Sequence, residues 1–331
     1  GAMSDIARLN ICLRSGERVL IELGAFAAPD FDALFEGVRA LPWEDFIPYD
    51  GAFPVKGYCL NSALRSEPAC QSIIKKAVAE RLAGTYGCQT LPETGALHHI
   101  QFALFKDRAS LLLDTTGPAL HKRGYREGSV LAPIRETLAA GLVQLMRWRG
   151  QEPFWDPHCG SGTICIEAAL IALNRAPGLD RSFAAQKWAS LPGSVWSDAA
   201  EEALDKEFSG EYEICGSDID PHALRAARQN AAVAGLEDMI SFRRLDSALL
   251  TAESAGGLIV TNPPYGQRLL EEAEAASLIK AFGAACGRLP AGWRVGVISP
   301  QKGFEALFGR KADKRRKLYN GKTPCQFYMY A

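Results

Sequence analysis

Asn262, Pro263, Pro264 and Tyr265 stand directly after the apolar run Gly257-Leu258-Ile259-Val260. An amide, two prolines and an aromatic ring in that order suit a flat ring that bears an amino group. The Asn262 side-chain oxygen and the Pro263 carbonyl can accept hydrogen bonds from an exocyclic NH₂, and the Tyr265 ring can stack on a base. Asn-Pro-Pro is also a turn sequence, so the tetrapeptide alone supports a turn as well as a site. A second cluster is Asp156-Pro157-His158-Cys159-Gly160-Ser161-Gly162-Thr163. Its glycines would let a ligand approach the backbone, and a helix starting at Thr163 would offer free N–H groups to an anionic group. Only Gly160-x-Gly162 is present. Ile164-Cys165 replaces the third glycine of a dinucleotide fingerprint, and no strand-end acid follows about twenty residues on. A nicotinamide-dependent oxidoreductase is therefore poorly supported.

These residues need a frame that brings them together. From residue 131 onward the pattern alternates between strand and helix. Helices are predicted over 131–149 (with Pro133 in the first turn), 163–174, 221–234, 273–288 and 303–308. Strands are predicted over 153–155, 212–216, 240–244, 257–261 and 293–299. Asn320-Gly321 between 317–319 and 326–330 is a hairpin signal. Repeated strand–helix units imply an α/β domain with a mainly parallel sheet and a terminal antiparallel strand. In that sheet Asp156, Asp218, Asp246 and Asn262 follow four successive strands. Strand-end acids often cap the next helix, as Asp220 is expected to do. Four in order, with Gly160 and Gly162 beside the first, favour a ligand site at the carboxyl edge.

The amino-terminal third reads as a small α+β module. It has a strand over 53–60, a helix over 70–86, and a hairpin pairing 99–105 with 109–114. The glycine-containing stretch 115–128 is the expected boundary. The insertion 175–211, with Trp188 and Trp196, is expected to be a surface helical excursion. Gly1-Ala2-Met3 looks like a tag scar. The balance of 37 basic and 38 acidic side chains gives a net charge of −1, so a nucleic-acid partner would have to be held by local patches. Nine cysteines without a CxxC pair argue against a disulfide framework and for a reducing cytoplasm. The five histidines show no metal-ligand spacing, and no run is long enough for a membrane helix, so neither metal nor membrane is expected.

The strand-end series resembles class I S-adenosylmethionine-dependent methyltransferases, and Asn262-Pro263-Pro264-Tyr265 matches the motif of those that modify exocyclic amines of nucleobases. The likeness runs along the chain. His121-Lys122-Arg123-Gly124-Tyr125-Arg126, Ala132-Pro133 and Glu136-Thr137-Leu138-Ala139-Ala140 resemble the stretch before the cofactor loop of THUMP-containing RNA methyltransferases. Leu41-Pro42-Trp43-Glu44, Cys70-Gln71-Ser72-Ile73-Ile74-Lys75-Lys76-Ala77, Asn174-Arg175-Ala176-Pro177-Gly178 and Arg316-Lys317-Leu318-Tyr319-Asn320-Gly321 are similar to the RlmL/YpsC-like branch, which makes N2-methylguanosine in large-subunit ribosomal RNA. The resemblance implies a partial ferredoxin-like segment over 1–50, a THUMP-like RNA-binding module over 51–117 and a Rossmann-like methyltransferase domain over 118–331. Two departures stand out. Family members usually carry a strand–helix segment before the equivalent of Ala7, and His158 stands where they usually have Phe.

The resemblance also implies roles. Asp156, Pro157, Cys159, Gly160, Ser161, Gly162 and Thr163 would face the methionine part of S-adenosyl-L-methionine. Asp218 would hold the ribose, with Ile219 against the adenine, and Asp246 with Ser247 would lie at the adenine amino group. Asn262, Pro263, Pro264 and Tyr265 would hold the target amine, with Asn262 also near the cofactor, and the product would be S-adenosyl-L-homocysteine. The partner would be RNA, 23S ribosomal RNA or a large-subunit precursor. Three basic groups are candidates to hold it: Lys75 and Lys76; Arg123, Tyr125 and Arg126; and Lys314, Arg315, Arg316 and Lys317. Each is equally readable as a solvated face. Cys159 and Cys165 read as packing residues. Adenine N6, transfer RNA, and a non-catalytic RNA-binding assembly factor remain open alternatives.

Overall fold

The computed structural model describes residues 2–126, 134–265 and 272–331. It divides into two units, 1–120 with 181–203, and 121–180 with 204–331. The first unit contains α1 (Met3–Cys12), β1 (Leu20–Ala27), α2 (Phe31–Arg39), β2 (Val55–Leu60), α3 (Glu67–Tyr86), β3 (His99–Phe105) and β4 (Arg108–Asp114). Its sheet runs β1-β4-β3-β2, with only β2 and β3 parallel. Ile100, Phe102 and Leu104 pair with Leu113, Leu111 and Ala109, and all six are buried. That period of two puts one sheet face on the core. Lys106 and Asp107 close the β3–β4 hairpin, both with left-handed φ (51° and 58°), as a two-residue turn requires. Helix α3 begins one turn before the predicted position, because the Ser66 hydroxyl accepts from Ala69 N at 3.4 Å. It buries Cys70, Ile74, Ala77, Val78 and Leu82 along one stripe.

The second unit is built from α4 (Glu136–Leu145), β5 (Phe154–Asp156), α5 (Thr163–Ala172), β6 (Ile214–Asp218), α7 (Pro221–Val233), β7 (Ile240–Arg244), β8 (Gly256–Thr261), α8 (Glu272–Cys286), β9 (Gly292–Ser299), α9 (Phe304–Phe308), β10 (Lys314–Asn320) and β11 (Thr323–Tyr330). The sheet order is β10-β11-β9-β8-β5-β6-β7. Strands β9, β8, β5, β6 and β7 are parallel, and β11 joins β9 antiparallel. Both sheet faces are covered. Leu258 and Val260 pack with Leu142, Val143 and Ile164 on one side, while Ile259 packs with Ile279, Phe282 and Val297 on the other. Burial on both faces explains the unbroken apolar run of β8.

Three expectations change. The helix predicted over 131–149 spans only Glu136–Leu145: Arg135 is an extended N-cap, and Arg147 takes a left-handed φ of 58°. Its predicted start, 131–133, lies outside the described residues. The closing hairpin turns at Gly321-Lys322, since Asn320 pairs with Thr323, so Asn320 ends β10 rather than filling the turn. The segment 181–203, including most of α6 (Gly193–Leu204), packs into the first unit. Its Trp188 stacks on His98 at 4.7 Å and donates to the Leu97 carbonyl at 2.9 Å, and Trp196 stacks on Phe183 at 5.3 Å. Buried tryptophans, not a free surface excursion, hold this segment. Among the described residues no helix is long and apolar enough to cross a membrane.

Candidate active site

From β5 the chain steps to β6 and β7 on one side, while β8 lies on the other. The carboxyl ends of β5 and β8 thus flank the point where strand order reverses, the usual ligand crevice of such sheets. Asp156 ends β5 and Thr261 ends β8. Thr261 Oγ1 donates to Asp156 Oδ1 at 2.7 Å, and the His158 N–H donates to the same oxygen at 3.1 Å. His158 Nδ1 lies 3.1 Å from Thr261 Oγ1, its Nε2 lies 2.9 Å from Ser247 Oγ, and Phe282 packs edge-on at 4.8 Å. Burial pushes the Asp156 carboxyl up to about 7, against the hydrogen bonds from Thr261 and His158. Burial also lowers the His158 imidazole to about 3, so it is uncharged at neutral pH although part of its surface remains accessible.

The glycine loop is tied to the next strand. Gly160 N donates to Asp218 Oδ2 at 3.0 Å, and Asp218 Oδ1 accepts from Asp220 N at 3.0 Å. Gly160 and Gly162 have φ of 51° and 80°. A side chain on Gly162 would crowd Ala227 and Phe242 at 3.1 Å, whereas one on Gly160 would meet no atom within 4 Å. Gly162 therefore serves packing, and Gly160 borders open space. The side chains of Pro157, Cys159, Ser161 and Thr163 are buried. Thr163 Oγ1 accepts from Arg126 at 2.8 Å, so any contact this loop makes with a ligand falls to its backbone. Asp246 is exposed and caps the turn after β7 by accepting from Ala248 N at 2.9 Å. Beside these acids Ile219 and Leu249 are 61% and 66% exposed, a place for a flat apolar ring.

Asn262 is half-buried, and its side chain has no hydrogen-bond partner among the described residues. Pro263 is buried. Tyr265 is half-buried, and its hydroxyl accepts from Asn320 Nδ2 at 3.2 Å, so the end of β10 fixes the ring. Burial raises the Tyr265 phenol above its ordinary range. Sequence reasoning missed Thr261, Leu249 and the use of Asn320. A polar residue closing an apolar strand was the signal for Thr261. Asn320 was absorbed into a turn signal, and an exposed leucine gives none.

The basic groups part company. Arg123 and Tyr125, expected to face RNA, are buried: Arg123 Nε lies 3.4 Å from Glu167 Oε1, and the Tyr125 hydroxyl donates to the same oxygen at 3.1 Å. Arg126 donates to the Ile134 carbonyl at 3.0 Å and pairs with Glu136 at 3.3 Å. This run clamps α4 to α5 because Glu136 and Glu167 present buried carboxylates to it. Lys75 is also committed, donating to the Phe53 carbonyl at 3.1 Å and to Glu93 at 2.5 Å. Lys76 is exposed, 3.8 Å from Glu80. Lys314, Arg315, Arg316 and Lys317 are all exposed on the edge strand β10, with Arg315 3.3 Å from Glu305. Among the described residues no cluster of side chains could hold a metal ion.

This sheet order, with a glycine loop after β5 and acids after β6 and β7, defines a class I methyltransferase domain. The chain belongs to the RMKL-like methyltransferase domain family, matched over residues 123–329, and carries a THUMP domain over residues 28–114. It is 43% identical to the Bacillus subtilis protein named "Putative RNA methyltransferase YpsC", over 98% of this chain and 85% of that one. It is 35% identical to the Ribosomal RNA large subunit methyltransferase K/L of Syntrophotalea carbinolica, over 100% of this chain but 48% of that one, so it spans about half of that relative. A Listeria monocytogenes structure titled a "predicted N6-adenine-specific DNA methylase" superposes with a TM-score of 0.94 at 46% identity, covering 100% of this chain and 86% of that one. SMU.472, solved in complex with SAH, superposes with a TM-score of 0.93 at 39% identity, covering 100% and 88%. The cofactor of the family is S-adenosyl-L-methionine. The residues present fit it: open space beside Gly160, acceptor oxygens on Asp218 and Asp246, and the exposed Ile219 and Leu249.

Proposed function

We propose that this chain methylates RNA at the exocyclic N2 amine of a guanine in large-subunit ribosomal RNA. The observation that carries the reading is the placement of Asn262 and its prolines at the end of β8, joined through Thr261 to Asp156 on β5. The THUMP match and the names of the relatives support RNA as the polymer. Bound S-adenosyl-L-methionine would supply an electrophilic methyl group. Gly160, Asp218, Ile219, Asp246 and Leu249 would hold it.

The lone pair of guanine N2 is delocalised into its ring. Asn262 Oδ1 and the Pro263 carbonyl accept its two N–H bonds, aim the lone pair at the methyl group and favour a tetrahedral nitrogen. The two prolines fix these acceptors beforehand, so little reorganisation is needed on binding. Tyr265, held by Asn320, stacks on a base taken out of its helix. After transfer the nitrogen is cationic and acidic, so its proton leaves to solvent without a strong base. Lys314, Arg316 and Lys317 on β10, with Lys76 on α3, supply phosphate contacts.

Labelled methyl transfer to unmodified large-subunit RNA, followed by nucleoside analysis, tests this reading. N2-methylguanosine is expected, and no transfer by a cofactor-bound protein would sink it. Adenine N6 is the second reading, left open by the Asn-Pro-Pro-Tyr motif, which does not distinguish one exocyclic amine from another, and favoured by the name of the Listeria structure. N6-methyladenosine in the product would establish it instead.

A further inference from the structure

We propose that His158 is a positioning residue for methyl transfer, holding the end of the acceptor strand against the cofactor loop through Thr261 and Ser247. The inference rests on Asn262-Pro263-Pro264-Tyr265 being the acceptor clamp. His158 lies in the loop after β5. Through Nδ1 it reaches Thr261, the residue before Asn262, and through Nε2 it reaches Ser247, the residue after Asp246. One imidazole therefore links the loop after β5 to Ser247 after β7, and adds a second side-chain link to the end of β8 beside the Thr261–Asp156 hydrogen bond.

With Asp156 ionised, the hydrogen bonds have one direction. A carboxylate at Asp156 can only accept, so the Thr261 hydroxyl proton goes to it. Thr261 Oγ1 must then accept from His158, which places the ring proton on Nδ1. Nε2 is left as an acceptor for the Ser247 hydroxyl. The chain runs from Ser247 to His158 to Thr261 to Asp156, with each proton used once. Phe282, edge-on at an interplanar angle of 85°, holds the ring in plane. A phenylalanine at 158 would fill the space. It would leave the buried Ser247 hydroxyl without this acceptor, and Thr261 with its hydrogen bond to Asp156 but none from residue 158.

The test uses the full chain and the variants His158→Phe, His158→Asn and Thr261→Val. Histidine nitrogen NMR, at a pH above the Asp156 titration, should show the proton of His158 on Nδ1. With RNA and cofactor, His158→Phe should lower kcat roughly tenfold, as expected for a misplaced acceptor, while leaving KM for the cofactor near its original value. His158→Asn keeps a donor toward Thr261 and should recover part of kcat, and Thr261→Val should match His158→Phe. The proposal is overturned by a proton on Nε2, by an unchanged kcat in His158→Phe, or by a loss confined to cofactor affinity. Calorimetry with S-adenosyl-L-homocysteine and the NMR measurement need no RNA. A wild-type protein that binds cofactor but methylates no RNA would therefore count against the proposed function, while the tautomer would still decide the hydrogen-bond chain.

Discussion

The runs 121–126 and 314–317 are both rich in Lys and Arg, and the structure puts them to opposite uses. Arg123 and Arg126 are spent on Glu167 and Glu136 inside the catalytic unit. Lys314, Arg316 and Lys317 lie exposed along an edge strand. What decides the outcome is not the basic run but the presence of buried acids opposite it. The comparison also explains the second run's other role, since charged side chains keep an exposed edge strand from pairing with another chain.

The largest expected effect is on stability. Arg123→Ala leaves Glu167 buried without its cationic partner and should cost about 3–5 kcal/mol. Arg316→Ala should change stability by no more than about 0.5 kcal/mol. Chemical denaturation of both variants measures the difference, and similar losses would erase the distinction between the runs. Next comes RNA affinity. Lys314→Ala with Arg316→Ala should weaken binding and flatten the log–log salt dependence by about one for each phosphate no longer neutralised. Lys75→Ala should leave that slope unchanged. Binding isotherms at several salt concentrations separate the two, and an effect of Lys75→Ala as large as that of the double variant would return Lys75 to the interface.

A third prediction concerns the site's own buried groups, whose titrations oppose each other. Asp156 is raised from 3.8 to about 7, so its contribution to stability is full below the lower value and is lost as pH rises through the upper. His158 is lowered from 6.5 to about 3, so its contribution is present above the upper value and is lost as pH falls through the lower. Relative to the unaltered chain, the Tm of Asp156→Asn should gain as pH rises from about 4 to 7. That of His158→Phe should gain as pH falls over the acid range. Melting curves across pH check both signs. The smallest effect is Asn320→Ala, which removes one hydrogen bond of about 1 kcal/mol from Tyr265 and should lower kcat about fivefold. An unchanged kcat would mean that packing alone places the ring.

Much of the sheet was legible because its signals are local. The run 257–261 is apolar throughout and the Asp220-Pro221 start of α7 is a cap signal, and both elements form where expected. The end of α4 was not legible: Arg147 takes a left-handed φ and Trp148 is buried, and tertiary packing of this kind gives no local signal. At the site, residue types and strand ends pointed to Asp156, Asp218, Asp246 and Asn262. The hydrogen bonds linking Thr261, His158 and Ser247 were hidden, since they join residues about a hundred positions apart. Whether an arginine faces solvent or a buried glutamate depends on the same long-range pairing.

The most direct test of the acceptor clamp is Asn262→Ala, assayed for labelled methyl transfer to RNA alongside calorimetric cofactor binding. Transfer should be abolished with cofactor affinity essentially unchanged. Transfer at the original rate, or loss of cofactor binding without a specific loss of transfer, would contradict the role assigned to Asn262.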